Sequence, residues 1–435
     1  MDNRFSRYLS ALYYPFRKLV RLEFLQPDDS VAFFVDNNQK IGYSRSHPSS
    51  AFIQDGNLNV SLQNGQRRKA TVTFGNVDGA FDYNVNRLWF GNRVRLSMGM
   101  VLPDGTDFYL PQGVFYLTNP QAKISPSNRS VTYSLSDKWA YLDGTLFGRL
   151  SSSYVVNTKT ETGAATNTFD AMRSLLCLSK FTMNKTDDIT QQIDPVVPVF
   201  TTYYNGKTYA TRNGQAVSMT DVPYTITGNS ESGTIALIML ELNTVVGGLI
   251  GYDQTGTLRV EPSQDDITDF DKPVLWTFSP KNSQLFGLQE TSKDTEVYND
   301  ILVVGENLTG NEIWGRAENF DPSSDTNINL IGRKTYRINK AEYFYDEQCT
   351  NLAEWTLKRK TVMQKSVSIR CGQMFHLIEN RLVAVQRTDK PGNPIEKHII
   401  NSFTLPLSQL GEMTINAVSV NDLATLATVT SGLPQ

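Results

Sequence analysis

Residues 237–262 decide how the middle of this chain folds, and they read LIMLELNTVVGGLIGYDQTGTLRVEP. Apolar residues at helical spacing run into a glycine pair, Gly247 and Gly248, which is typical of a helix that ends at a left-handed cap. The spacing predicts a helix over residues 230–246, with Ser230 or Ser232 as its N-cap. The apolar residues of this helix, with Leu237 among those expected to face the core, are Ile235, Leu237, Ile238, Leu242, Val245 and Val246.

A hairpin follows the helix directly. Asp253 and Gly256 bound a tight turn, and residues 257–260 then alternate polar and apolar. This pattern predicts a hairpin over residues 251–262, with one face packed on the helix and the other in solvent. The motif is a scaffold without chemistry of its own.

Composition limits the class of protein. The 435 residues suffice for roughly two to four domains. A net charge of -3, from 41 basic and 44 acidic residues, favours neither nucleic-acid recognition nor binding to an anionic membrane. Cys177, Cys349 and Cys371 lie far apart without a paired motif, so they indicate a reducing compartment and packed thiols. No segment has the ~18 apolar residues of a membrane helix, so stable membrane insertion is not predicted.

The N-terminal segment has an amphipathic helical pattern. Phe5, Tyr8, Leu9, Leu12 and Phe16 recur at helical spacing among basic residues. The favoured interpretation is an arm packed on the first domain or on a neighbouring subunit. A transit peptide or a membrane-surface helix is the alternative.

Alternating strands dominate the two ends of the chain. Residues 1–137 predict the arm and a first antiparallel β-barrel, because period-two patterns recur around Leu22, Val60, Val72, Leu96 and Tyr133. Residues 273–420 predict a second barrel with strands near residues 301–304, 367–371, 382–385, 399–407 and 413–417. A helix over residues 346–365, capped by Asp346, is expected inside it.

The middle of the chain has a mixed pattern. Residues 138–272 predict a smaller α/β domain, with helices near residues 168–178 and 230–246 and a short strand at 207–211. The fold class expected is therefore mainly β with an α/β insertion. Residues 421–435 are small and polar, and we expect a frayed tail.

The sequence contains none of the common catalytic motifs. It has no phosphate-binding loop, no dinucleotide fingerprint, no zinc-protease helix and no nucleophile elbow. His47, His376 and His398 are scattered, without a second ligand at metal-binding spacing. We therefore predict no catalytic residue, no metal site and no cofactor.

Several acidic and aromatic residues are candidate sites. The run Asp265, Asp266, Asp269 and Asp271 lacks the glycine and closing Glu of a calcium loop, which favours a solvated loop. Two carboxylate pairs could act in a glycosidase, but such pairs arise by chance; they are Glu318 with Asp321 and Asp253 with Glu261. Five tryptophans could stack sugars, although buried anchors are commoner; they are Trp89, Trp139, Trp276, Trp314 and Trp355.

The order of several short blocks resembles the trimeric baseplate-hub and tail-tip proteins of phage tails and related contractile injection systems. Residues 56–61 (GNLNVS), 67–79 (RRKATVTFGNVDG) and 88–96 (LWFGNRVRL) are similar to the first barrel of these hubs. Residues 112–117 (QGVFYL) and 136–144 (SDKWAYLDG) resemble its closing strands and exit. Residues 237–262 resemble the middle domain, and 297–305 (VYNDILVVG), 332–333, the Asp346 helix and 404–417 resemble the second barrel.

The resemblance implies a mechanical function. It implies a homotrimeric ring that adapts the six-fold tail tube to a three-fold central spike or fibre, made in the bacterial cytoplasm and located in the virion tail. The partners implied are the tail tube or distal tail protein, the spike or fibre, and the tape-measure protein. Two alternatives remain open, a tail-associated cell-wall hydrolase and a carbohydrate-binding adsorption protein.

Overall fold

A computed structural model describes most of the chain. The described residues are 3–26, 29–37, 52–76, 79, 81–82, 93–125, 128–177, 196–198, 208–210, 216–218, 220–229, 231–262, 274–279, 284–292, 297–306, 310–340, 343, 346–361 and 365–419. His47, Trp89, the run Asp265, Asp266, Asp269 and Asp271, and the predicted tail at 421–435 lie outside these residues.

Strands predominate, and the helices are few. The strands are β1 (Lys18–Leu25), β2 (Val31–Asp36), β3 (Phe52–Ser61), β4 (Arg68–Gly75), β5 (Arg93–Val101), β6 (Asp107–Ser125), β7 (Asn128–Asp137), β8 (Tyr154–Val156), β9 (Val196–Pro198), β10 (Thr208–Ala210), β11 (Ala216–Ser218), β12 (Ile226–Gly228), β13 (Leu249–Tyr252), β14 (Leu258–Glu261), β15 (Val274–Phe278), β16 (Leu285–Ser292), β17 (Asp300–Glu306), β18 (Glu312–Glu318), β19 (Thr335–Lys340), β20 (Lys365–Cys371), β21 (Leu382–Gln386), β22 (Ile395–Pro406) and β23 (Met413–Ser419). The α-helices are α1 (Asn3–Ala11), α2 (Thr168–Cys177), α3 (Ile235–Val246), α4 (Ile328–Ile331) and α5 (Asp346–Lys360), and a 3-10 turn spans Lys138–Tyr141.

The strands from both ends of the chain form one 13-stranded sheet. Its main path is β16-β20-β23-β22-β3-β4-β7-β6-β5-β1-β2, and β21 and β15 continue from β22. The predicted fold class, mainly antiparallel β with an α/β middle region, is confirmed. We call β1 to β7 the first sheet unit, and β15, β16 and β20 to β23 the second sheet unit.

The two units share one strand order. The path β3-β4-β7-β6-β5 of the first unit matches β16-β20-β23-β22-β21 of the second, in chain order and with every neighbour antiparallel. A β-bulge also recurs at the same place, between Ile53 and Asp55 on β3 and between Leu285 and Gly287 on β16. The sixth strands differ, because β1 is antiparallel to β5 whereas β15 is parallel to β21.

A compact insertion separates β16 from β20 in the second unit. Its central strand β17 pairs antiparallel with β18 and parallel with β19, and α5 packs on this small sheet. Gly315 on β18 permits the close approach, since a Cβ there would lie 2.1 Å from the backbone nitrogen of Thr350. The insertion has its own buried core of Ile301, Val303, Ala317, Cys349, Ala353 and Leu357.

This arrangement corrects the predicted helix of residues 346–365. The helix begins at Asp346 as expected, but it ends at Lys360, because β20 already begins at Lys365. It packs on the insertion's own sheet and not on the strands of the second unit.

The middle domain, described from residue 138 to 262, holds the helix and hairpin that opened the sequence. Gly247 ends α3 in the left-handed conformation, with φ of 63°, and the Asp253–Gly256 turn closes the hairpin of β13 and β14. The helix starts later than predicted. Thr234 is its N-cap and accepts a hydrogen bond from the Leu237 backbone N–H, so neither Ser230 nor Ser232 caps it.

The prediction that Leu237 faces the core is wrong. Leu237 is 56% exposed and shares the outer face of α3 with Glu241 and Thr244. These three residues are four and three positions apart, so they lie on one stripe of the helix. Ile238 and Leu242, on the inner face, are buried in the core of the middle domain.

The N-terminal arm is helical and touches both sheet units. The Tyr8 ring of α1 lies 5.3 Å from Phe108 of the first unit, between ring centres. Its hydroxyl accepts a hydrogen bond of 2.9 Å from the backbone N–H of Phe375 and lies 3.0 Å from His376 Nδ1, both in the second unit. The arm therefore packs against both sheet units.

Candidate functional site

The first predicted carboxylate pair is committed to structural contacts. Glu318 bonds to the guanidinium of Arg333 and lies 3.5 Å from Arg316. Asp321 accepts hydrogen bonds from the backbone and hydroxyl of Ser323, at 2.8 and 2.7 Å. These two bonds lower the pKa of Asp321, so it serves as a turn acceptor and stays ionised.

The second pair is divided between two separate networks. Asp253 accepts bonds from Thr255 and Thr257 in the hairpin turn and pairs with Arg259. Burial opposes ionisation of Asp253, but these bonds outweigh it and lower its pKa. Glu261 instead bonds to Arg381, at 2.9 Å. Neither carboxylate is placed with the other to work on a substrate.

The two described histidines are buried away from solvent. His376 contacts Tyr8, and His398 lies on β22 with only 1% of its surface exposed. Burial lowers the pKa of each imidazole to about 4. Both are therefore neutral at pH 7, and neither belongs to a group of three or more His, Cys, Asp or Glu side chains that could hold a metal, as far as the described residues extend.

The described tryptophans do not form a single platform. Trp139 belongs to the core of the middle domain and Trp276 to the core of the sheet. Trp314 lies on β18, and Trp355 on α5 is 44% exposed. Trp314 and Trp355 both belong to the insertion between β16 and β20, whereas Trp139 and Trp276 are buried in two other cores. The four rings therefore do not form one exposed sugar-binding face.

A buried cluster of charges joins the two units and the middle domain. Arg67 and Arg68 come from the hairpin of the first unit, Glu379 and Arg381 from the second, and Glu261 from the middle domain. Arg68 pairs with Glu379 at 2.5 Å, and Arg67 lies 3.7 Å from Glu261 and 3.9 Å from Glu379. All four partners in these contacts are less than 5% exposed by side chain. We call this set the junction cluster.

Asp137 anchors the first-unit side of the junction cluster. One carboxylate oxygen accepts the backbone N–H groups of Arg67 and Arg68, each at 2.8 Å, and the other accepts that of Trp139 at 3.1 Å. Burial raises the pKa of Asp137 to about 7, against the opposing effect of these three bonds. The carboxyl group therefore fixes the place where the first unit passes into the middle domain.

Close backbone contacts hold the middle domain against the first unit. The Gly65 N–H donates to Ile250 O at 3.0 Å, and Asn64 accepts from the Ile250 N–H at 2.9 Å. A Cβ at Gly251 would lie 2.3 Å from Arg67 Nε, so the hairpin needs glycine at this place. A Cβ at Gly256 would likewise lie 2.7 Å from Val114 Cγ2 on β6 of the first unit. The glycines of the opening motif thus dock the domain as well as turning the chain.

Sequence reasoning did not identify the junction cluster. Its residues are far apart in the chain, and Arg68 and Glu379 are separated by 311 positions. The sequence does contain one signal for the junction cluster. Two adjacent arginines begin a strand whose later residues alternate between polar and apolar, which predicts that one face of the strand is buried, and a buried arginine requires an acidic partner. Which acid it finds depends on the long-range fold.

The chemistry of the junction is static. Its guanidinium and carboxylate groups are paired with one another and are excluded from water, so they can align domains but cannot reach a substrate. None of the described helices is long and apolar enough to cross a membrane.

Comparison with known proteins identifies the fold. No protein-family model matches the sequence, and no curated protein matches it. Among solved structures, a tail protein from Neisseria meningitidis MC58 matches with a TM-score of 0.58 and 12% identity, covering 94% of this chain and 98% of that chain. The 43 kDa tail protein of prophage MuSo2 from Shewanella oneidensis has a TM-score of 0.54 and 12% identity, covering 93% and 100%.

A Francisella complex contains a chain with a similar fold. The Francisella PdpA-VgrG complex in its lidded form matches with a TM-score of 0.51 and 9% identity, covering 99% of this chain and 57% of that chain. Nearly all of this chain therefore has the fold of phage tail proteins. The resemblance to hub and tail-tip proteins inferred from the sequence is confirmed at the level of fold.

Proposed function

We propose that this protein is a structural component of a phage or phage-like tail, located at the tail tip or baseplate. The observation that carries the proposal is the pairing of two matched sheet units in one chain, of which more than nine-tenths matches the fold of tail proteins. In this role the chain forms a homotrimeric ring. The ring connects the six-fold tail tube to a three-fold central spike or fibre.

Symmetry gives this role its physical logic. Three copies of a chain with two similar units present six units around an axis, so one face of the ring can match a six-fold tube. The middle domains and insertions occur once per chain, and they keep the other face three-fold. The matching bulges on β3 and β16 support the idea that the two units offer equivalent edges.

The proposal includes a non-enzymatic role. Of the acids considered for catalysis, Glu318, Asp321, Asp253 and Glu261 all make structural hydrogen bonds or ion pairs. On the proposed role, purified protein will not degrade peptidoglycan. Reproducible turnover that is lost on substituting Glu318 or Asp321 would favour a tail-associated hydrolase instead.

The partners follow from the position in the tail. They are the tail tube or distal tail protein above the ring, the spike or fibre below it, and the tape-measure protein in its channel. The domain division proposed is 1–137, 138–272, 273–420 and 421–435, with the insertion inside the third.

The deciding experiment is assembly with the tail-tube protein of the same phage or phage-like tail. We expect co-expression to give a complex with three copies of this chain, and electron microscopy to show a hollow ring with six similar lobes on one face. A closed dimer without a channel, or no binding to the tube, would contradict the proposed function. Native mass measurement of the complex gives the stoichiometry independently.

A further inference from the structure

The two sheet units meet through a short antiparallel contact within the chain. Residues 402–406 of β22 pair with residues 61–57 of β3, and the last three pairs are Thr404 with Asn59, Leu405 with Leu58 and Pro406 with Asn57. The contact continues for one more residue, because the Leu407 N–H donates to Gly56 O at 2.8 Å. Thr404 Oγ1 also donates to Asn59 Oδ1 at 2.9 Å across the pair. This contact makes one sheet out of two.

The shared strand order assigns an equivalent to each side of this contact. With the bulges on β3 and β16 aligned, Arg370 of β20 corresponds to Thr73 of β4, and their partners Thr414 and Thr132 correspond in turn. Thr414 pairs with Thr404 of β22, and Thr132 pairs with Gln121 of β6. Gln121 therefore occupies the position in the first unit that Thr404 occupies in the second unit.

The other side of the contact follows in the same way. Asn59 of β3 pairs with Lys69 of β4, and Thr291 of β16 pairs with Ser366 of β20. Lys69 and Ser366 pair in turn with Ser136 and Val418, at matching positions of β7 and β23. The equivalent of the internal contact is thus Gln121, Ala122 and Lys123 opposite Thr291, Glu290 and Gln289.

Both of these equivalent segments have an open side. Over the described residues, β6 pairs with β5 as far as Tyr116 and beyond it only with β7, and β16 pairs only with β20. Exposure shows the difference clearly. Leu407, beyond the internal contact, is 1% exposed, whereas its equivalent Ile124 is 71% exposed.

We propose that β6 of one copy pairs with β16 of the next copy, antiparallel, with Gln121 opposite Thr291 and Lys123 opposite Gln289. This inference rests on the ring described under the proposed function and gives the contact that closes it. The contact is head-to-tail, so each copy uses one edge on each side, and three copies complete a closed ring. Each ring then contains six sheet contacts of one kind, three within chains and three between chains.

The side chains at the proposed contact fit this pairing. Gln121 and Thr291 place an amide and a hydroxyl opposite each other, as Asn59 and Thr404 do within the chain with the two types exchanged. Continuing the register brings Ile124 opposite Leu288, which covers an exposed apolar side chain. Ala122 and Glu290, however, replace the buried pair Leu405 and Leu58. The contact between copies is therefore more polar than the internal one and forms at high local concentration.

Disulfide trapping tests the register directly. The double variant Gln121→Cys with Thr291→Cys is oxidised at high protein concentration, alone and with the tail-tube protein. Directly opposed residues on antiparallel strands are close enough for a disulfide. Within one chain β6 and β16 are seven strand spacings apart along the sheet. The mass of the oxidised species under denaturing conditions distinguishes a bond between two copies from a bond within one chain. We expect reducible dimers and trimers, ending at a cyclic trimer.

Matched variants keep the test decisive. Gln121→Cys with Ala32→Cys directs the same β6 segment to β2, which pairs only with β1 among the described strands, and we expect no ladder from it. A trimer in native mass measurements that gives no 121–291 bond, or a ladder from the Ala32 variant instead, would overturn the proposed register and leave the tail role intact. A chain that neither binds the tube nor forms the bond would overturn both.

Discussion

The first and second sheet units have the same strand path but differ at their connections. In the first unit, β3 and β4 are joined by residues 62–67, a short turn that carries Arg67 into the junction cluster. In the second unit, the matching strands β16 and β20 are separated by the insertion, which has its own core. The difference teaches that register and bulge position define the unit, while the connections are free to carry other functions.

A second difference lies in what each unit buries. The second unit encloses His376 and His398, and its β22 is covered by β3. The equivalent end of β6 in the first unit is open, with Ile124 in solvent. One shared topology therefore supports an internal contact in one unit and an available edge in the other.

The largest expected effect is at the junction that couples the units. Glu379→Ala removes the carboxylate that pairs with the buried guanidinium groups of Arg67 and Arg68. We expect the free energy of unfolding to fall by about 3 to 5 kcal/mol in chemical denaturation. The control is Glu312→Ala, because Glu312 pairs with Arg337 at an exposed site and its loss should cost less than about 1 kcal/mol. Equal effects would show that these charges do not couple the units.

The comparison of the two sheet units treats the middle domain as a part with its own core. Substitutions on the two faces of α3 test this. Ile238 is 2% exposed on its inner face, so Ile238→Ala should lower the free energy of unfolding by about 2 to 5 kcal/mol. Leu237→Ala, at the neighbouring exposed position, should change it by no more than about 0.5 kcal/mol. Urea denaturation of the two variants beside the parent measures both, and a reversed order would mean that the helix is rotated.

Acid should destabilise the second unit before the first. The pKa of His376 and of His398 is about 4 in the folded chain, against about 6.5 when unfolded. A lowered folded pKa gives stability that is complete above pH 6.5 and is lost as the pH falls toward 4. At pH 5 each histidine should have removed about 2 kcal/mol.

Hydrogen exchange read by mass spectrometry at pH 7.5 and pH 5, corrected for intrinsic rates, locates this loss. We expect protection to fall first around β15, β21 and β22. The variant His398→Gln should show a smaller loss of protection between pH 7.5 and pH 5 than the parent. The exchange profile of the parent at the two pH values tests the same prediction without a substitution. Uniform loss of protection across both units would contradict the assignment to these histidines.

Much of the fold could be predicted because it depends on local patterns. Period-two strands, the cap at Gly247 and the turn at Asp253 are all local signals, and the structure has each of them. The start of α3 was missed because Ser230, Ser232 and Thr234 are all acceptable caps. The position of Leu237 on the helix predicts exposure, since Leu237 shares a helical stripe with Glu241 and Thr244. Its hydrophobicity alone predicts burial, and that prediction is wrong.

The functional surfaces could not be predicted from local patterns. The junction cluster and the β22–β3 contact join residues hundreds of positions apart, and nothing in a strand's own sequence specifies its partner. The likeness between the units is likewise invisible in sequence, because a sheet is specified by alternation and turn placement more than by residue identity. It became visible only in the order of hydrogen-bonded strands.

The smallest expected effect is at Ile124, and it is informative because it should be small. Ile124→Ala removes an exposed side chain from β6, so the free energy of unfolding of the isolated chain should change by less than about 0.5 kcal/mol. Leu407→Ala, at the equivalent buried position, is the contrast and should cost about 2 kcal/mol or more. Thermal or urea unfolding of the monomer measures both. A large loss at Ile124 would mean that this side chain is already covered within its own chain, and the two ends would then not differ as argued. If the loss is small in the monomer yet the variant assembles poorly with the tail tube, the side chain contributes only when a neighbouring copy lies against it.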